Sequence, residues 1–195
     1  MDTHFTVDEL LALVHRFYPS NLEGNDPRHE TSEEFQRLLA AREAAMADTP
    51  RAQAWDSFFR RLRDAVPGSH VENWSTLRYD ACWRCRVYLP GTSPTSTEVK
   101  AVVGLVSILA PVFAIYASHQ TYEGQRVSNT RLFFPPMPTE FHEQEAILDG
   151  LIRSSFGFER LPNEILFTPV SDLQVGNKAP EKVQLIDCLF TDNRW

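Results

Sequence analysis

Over the first 68 residues, hydrophobic positions recur with the period of an α-helix. Thr6 and Glu9 make a capping box ahead of Leu10, Leu11, Val14, Phe17 and Tyr18, which predicts a first helix ended by Pro19. Residues 19–31, holding Asn21, Gly24, Asn25, Asp26 and Pro27, carry turn chemistry and predict a loop. A second helix is predicted over 32–46, with Phe35, Leu38 and Leu39 inward. A third follows Pro50 and sets Trp55, Phe58, Phe59, Leu62 and Val66 on one face until Pro67 and Gly68 stop it.

From His70 the period changes to two. Strands are predicted over 71–77 and 81–89. In the second, Ala81, Trp83, Cys85, Val87 and Leu89 alternate with Cys82, Arg84, Arg86 and Tyr88, which predicts one apolar face and one basic, wet face. After a polar loop over 90–97 comes AVVGLVSILAPVFAIYAS, residues 101–118, without a charge. Its length admits a membrane-spanning helix. Its β-branched and aromatic content and the central Pro111 favour two buried strands, 99–109 and 112–120. Beyond a loop with Gly124 and the run Pro135 to Pro138, Thr139 is expected to cap a helix. Phe141, Leu148, Leu151 and Ile152 face inward, Glu140, Glu143 and Glu145 lie at its N-terminal end, and Gly157 closes it. Two more strands are predicted over 165–173 and 183–190.

Helices, then strands, then one helix and more strands give an α+β fold. The expectation is a single domain over 1–195: a helical section 1–68, then a sheet-rich section 69–195, mostly antiparallel, with helices packed on one side. At 195 residues the chain can bury a core without disulfide or metal. Its formal charge of −7 disfavours nucleic acid and anionic membranes and favours a basic protein partner. Three cysteines fit a reducing cytoplasm, and the acidic start MDTHFTVDELL carries no secretory signal.

Each candidate for chemistry is incomplete. Cys82-Trp83-Arg84-Cys85 has the spacing of a thiol-redox or half-zinc site, but on a strand residues three apart point to opposite faces, leaving Cys82 half-exposed and Cys85 buried. His142-Glu143-Gln144-Glu145-Ala146 starts like a zinc-protease helix and lacks the second histidine at Ala146. Asp80 with Glu98-Val99-Lys100 resembles the metal-dependent PD-(D/E)xK nucleases, with Tyr79 where that family has Pro. A nuclease of this kind, a thiol-redox enzyme and a membrane-anchored protein are the alternatives. The main expectation is a non-enzymatic protein without cofactor or metal.

Its surface is then the functional part. Besides acidic stretches at Glu33 and Glu34 and around Glu140 to Asp149, the aromatics Trp74 and Tyr79 are expected to be exposed near the first strand turn. The small acidic α+β build, the strand pair VVGLVSILAPVFAIYASH and the ending VQLIDCLFTDNRW resemble bacterial polymorphic-toxin immunity proteins over about the last hundred residues. The resemblance implies a cytoplasmic inhibitor that occludes a cognate toxin domain. The contact residues expected from the surface are Trp74, Tyr79, Glu140, Glu143 and Glu145.

Overall fold

A computed structural model describes residues 5–194 except 23, 48 and 125. Helix α1 (Val7–Val14) begins at the expected box: the Glu9 amide donates to Thr6 Oγ1 at 3.3 Å, and the Thr6 amide donates to Glu9 Oε2 at 2.8 Å. Within the expected loop lies a short helix, α2 (Pro27–Thr31), capped by Asp26, whose carboxylate accepts from the Arg28 amide at 2.8 Å. Helices α3 (Glu33–Met46) and α4 (Pro50–Ala65) follow the sequence pattern, with Ser32 and Thr49 as side-chain caps.

Five strands form an antiparallel meander in chain order: β1 (Val71–Asn73), β2 (Cys82–Tyr88), β3 (Glu98–Ser107), β4 (Val112–Glu123) and β5 (Arg126–Phe133). A two-residue strand, β6 (Glu159–Arg160), pairs parallel with the start of β4. The uncharged run is therefore β3 and β4. Ser107 shapes the connection between them, its hydroxyl accepting from the Leu109 amide at 3.1 Å, and Pro111 sits outside the ladder, where no amide donor is needed. Among the described residues no helix is long and apolar enough to cross a membrane.

Helices cover both faces of this sheet, not one. On the first face α4 stacks Trp55 against Trp83, ring centroids 6.0 Å apart, and helix α5 (His142–Phe156) brings Leu148 and Ile152 over Gly104. The second face lies under α1, helix α7 (Leu185–Leu189) and the segment from Phe190 to Arg194. Tyr18 there donates to the Cys188 carbonyl at 2.8 Å, and Tyr116 to the Arg194 carbonyl at 2.7 Å. Covering on both sides is why β3 and β4 read as a continuous apolar run.

Several sequence expectations are corrected. The stretch 183–190 holds helix α7, and 165–173 is the end of helix α6 (Asn163–Leu166) followed by turns; their β pairing among the described residues is confined to the isolated bridges Pro169–Gln184 and Ser20–Leu173. All five residues of α7 are buried, so periodicity could not separate a short helix from a strand there. β5 was expected as loop; most of it is exposed on both faces and so lacks alternation. Thr139 begins a 3-10 turn ahead of α5 and caps nothing, whereas Gly157 closes α5 at φ +67° as expected. Finally, the second face of β2 is not wet: Arg84 is 7% exposed and Arg86 3%.

The cysteine expectation changes with it. Cys82 and Cys85 do lie on opposite faces of β2, but both are fully buried, as is Cys188, and all three are free thiols. Burial raises the Cys82 pKa well above its ordinary value and pushes Cys85 up to about 12. We predict that no cysteine reacts with a thiol reagent in the native state and that all three react after unfolding. Fast native labelling of Cys82, followed by mass spectrometry, would contradict this packing.

His15 and Asp172 tie the end of α1 to a distant loop at 2.9 Å. Burial works against the His15 charge, but the Leu11 carbonyl and Asp172 outweigh it and raise the pKa; for Asp172, burial is outweighed by the His15 hydrogen bond and its pKa falls. A raised histidine contributes stability below its unfolded pKa near 6.5 that is lost as pH rises through the folded value. A lowered aspartate contributes stability above about 3.9 that is lost on acidification. The pair therefore contributes most between these limits, and by less than about 1 kcal/mol because both groups are partly solvated. His15→Gln should lower the melting temperature more at pH 5.5 than at pH 8; an equal loss at both would show that the pair carries no charge coupling.

A cleft beside a buried arginine

The geometry of the candidate site starts from Arg84. It stands on the covered face of β2 between Leu105 of β3 and the loop that joins β1 to β2. Its Nε donates to the Trp74 carbonyl at 3.2 Å and its Nη1 to the Asn193 carbonyl at 2.6 Å, while Nη2 lies 3.6 Å from Asp80 Oδ2. Asp80, 5% exposed, also accepts from the Thr76 hydroxyl in a short hydrogen bond. The same loop closes on itself through the Tyr79 and Asp80 amides, both donating to the Thr76 carbonyl. Trp74 lies between two cations, with its ring 5.2 Å from the Arg84 guanidinium and 4.3 Å from that of Arg86. Arg86 donates to Gln120 at 2.6 Å and makes no ion pair among the described residues.

Outside Arg84 the surface opens into a cleft of about 550 Å³. One wall is the α2–α3 arm, with His29, Phe35, Leu38 and Arg42. The opposite wall is the turn at Gln174 to Asn177 together with Asp192 and Asn193, and the floor is Tyr18, Asp80 and Arg84. His29 is buried against Phe35, ring centroids 4.8 Å apart. Arg42 reaches across to donate to the Tyr79 carbonyl in a short hydrogen bond, and its Nε is buried without a protein acceptor among the described residues. Tyr79 is 74% exposed at the mouth. Met46, 51% exposed, sits one helical turn beyond Arg42 on the same face of α3.

The expected contact residues do not gather in one place. Trp74 is half-buried under the arginines and Tyr79 is exposed beside the cleft. Glu140 is bound to Lys100 at 2.9 Å and Glu145 to Arg160 at 2.6 Å, so of the three glutamates Glu143 is exposed without an ion pair among the described residues. Lys100, which holds Glu140, and Ser107, opposite Cys82 at the Tyr79 end of β2, are seven steps apart on β3, roughly 23 Å at about 3.3 Å per residue, so Glu140 lies far from Tyr79 along the strand. Asp80 and Glu98 are further apart along the same strand, roughly 30 Å by the same rise, and the nuclease-like set does not converge. Among the described residues no group of three or more His, Cys, Asp or Glu could hold a metal ion.

Reading the sequence missed Arg42 and the inward role of Arg84. A signal for Arg84 and Arg86 was present. Their cross-strand neighbours are Leu105 and Val103, inside a run apolar on both faces, and a strand paired with such a run cannot keep those positions wet. Arg42 gave no signal, because an arginine on a polar helix reads as solvated. Comparison with family models, curated proteins and solved structures returns no match.

Arg84 makes a sharp prediction for stability. Arg84→Ala should cost about 3–5 kcal/mol, because it leaves Asp80 buried without its cation and frees the Trp74 and Asn193 carbonyls. Adding Asp80→Leu to Arg84→Ala should restore part of that loss, and denaturant unfolding of the four proteins of the cycle reads it directly. Losses that simply add would mean the pair is not coupled.

Proposed function

We propose that this chain is a non-enzymatic, protein-binding protein of the immunity type, an inhibitor that occludes a basic toxin domain, and that the partner docks at the mouth of the cleft. The observation that carries the reading is the apolar rim. Among the described residues three large hydrophobic side chains are exposed, Met46, Tyr79 and Val127; Tyr79 lines the cleft, and Met46 lies one helical turn beyond the cleft residue Arg42 on α3. An exposed tyrosine beside a concavity is the side chain that binding interfaces use as an anchor, with large contact area and little rotamer entropy to lose. The net charge of −7 supports a basic partner by raising the encounter rate. The likeness of the strand pair and the chain ending to immunity proteins supports the class.

The partner to test is the C-terminal domain of a secreted multidomain protein encoded beside this chain. Surface plasmon resonance should give an association rate that falls with salt, since screening sets in over about 10 Å near 0.1 M. Tyr79→Ala should speed dissociation at least tenfold and Met46→Ala several-fold, with unchanged melting temperatures, because neither side chain belongs to the core. If both variants dissociate like the parent from a partner that binds normally, the rim is not the interface. If no such domain binds or is inhibited, the immunity reading falls.

A further inference from the structure

We infer that the cleft is a binding site for a small zwitterion, a free amino acid or short peptide whose carboxylate is read by Arg42 and whose ammonium is read by Asp192. Both residues line the cleft, Arg42 from α3 and Asp192 from the segment after α7. Arg42 commits one terminal nitrogen to the Tyr79 carbonyl, and its buried Nε meets no protein acceptor among the described residues. A guanidinium in this position keeps donors for an oxyanion, and a planar carboxylate is the acceptor that takes two parallel N–H groups.

Asp192 supplies the opposite charge. It makes no ion pair among the described residues, and neither does Arg42. Opposite charges in one cleft would close on each other if both were free to move; here Arg42 is held by its own hydrogen bond and no contact joins it to Asp192 among the described residues. Arg42 is anchored through Tyr79. The Asp192 carboxylate lies so close over Gly176 that a Cβ there would stand 2.0 Å from Oδ2, and Gly176 itself holds φ +55°. The result is a cation and an anion, neither in an ion pair among the described residues, lining one cleft. A plain anion would satisfy Arg42 and be repelled by Asp192, whereas a ligand carrying both charges satisfies both.

The remaining surroundings fit this ligand class. The nearby charged pair Arg84 and Asp80 is already matched and competes for neither end. Phe35 and Leu38 give the cleft an apolar side, and its volume lies within the roughly 300–1000 Å³ of small-molecule pockets. The site is independent of the partner reading, because it is tested on the purified chain alone.

The test uses the full chain, thermal melting and titration calorimetry. The probes are each of the twenty free amino acids, the tripeptides trialanine and trileucine, and N-acetylated and C-amidated forms of any binder. At least one zwitterion should bind with one-to-one stoichiometry and raise the melting temperature, and blocking either of its charged ends should weaken binding at least tenfold. Arg42→Gln and Asp192→Asn should each weaken it at least tenfold with an unchanged circular dichroism spectrum. The two probe classes identify whether the ligand is an amino acid or a peptide. If Arg42→Gln fails to fold, the blocked ligands on the parent chain decide the matter. Binding by none of the probes, equal binding by the blocked forms, or binding indifferent to both substitutions would overturn the inference.

Discussion

A positive charge buried on the covered face of the sheet governs how that face is built. Taking a guanidinium out of water costs several kcal/mol unless protein groups replace its hydration. For Arg84 those groups come from two places remote in sequence: the Trp74 and Asp80 positions of one loop, and the Asn193 carbonyl near the end of the chain. The need to solvate one side chain therefore fixes both segments on the sheet. Arg194 continues the same logic, pairing with Asp187, which is itself fully buried and also accepts from Lys178 at 2.7 Å. Tyr116, reaching up from β4 to the Arg194 carbonyl, closes the arrangement over the sheet centre.

This accounts for the position of the cleft. The loop ending in Asp80 and the segment through Asn193 are pinned to Arg84, while the α2–α3 arm leans on the body through few buried side chains, chiefly Leu38 and Ala45. The arm is thus a wall set against a pinned floor. Arg42 spans the gap by holding the Tyr79 carbonyl, so the exposed tyrosine is positioned by its backbone and its ring stays free at the mouth.

Much of the fold was legible because its strongest local signals agree with the tertiary outcome. The Thr6–Glu9 box, the aromatic face of α4 and the divided apolar run each specify one element and meet no competing demand. What was not legible depends on partners far along the chain. α7 is short and buried on every side, so nothing in its own pattern favours a helix over a strand. β5 is paired through its backbone to β4 while its side chains meet water, and backbone pairing leaves no mark on side-chain pattern. The cleft is the extreme case, since its lining comes from five stretches of chain and its useful charges look like ordinary surface charges until the fold brings them together.

The separation between the aromatic mouth and the acidic start of α5 limits what one contact can use. Roughly 23 Å along β3 is more than twice the screening length at 0.1 M salt, so a charge at Glu140, held at Lys100, adds little to the energy of groups bound near Tyr79. A typical interface of about 800 Å² per partner is roughly 30 Å across and could bridge that distance on a flat surface. Here it would also have to pass from the layer of α5 to the other side of the sheet, where Arg84 and the cleft lie. Charge at α5 can then act on the approach of a partner, where the summed field of the chain matters, while the groups that hold it must lie within reach of the cleft mouth.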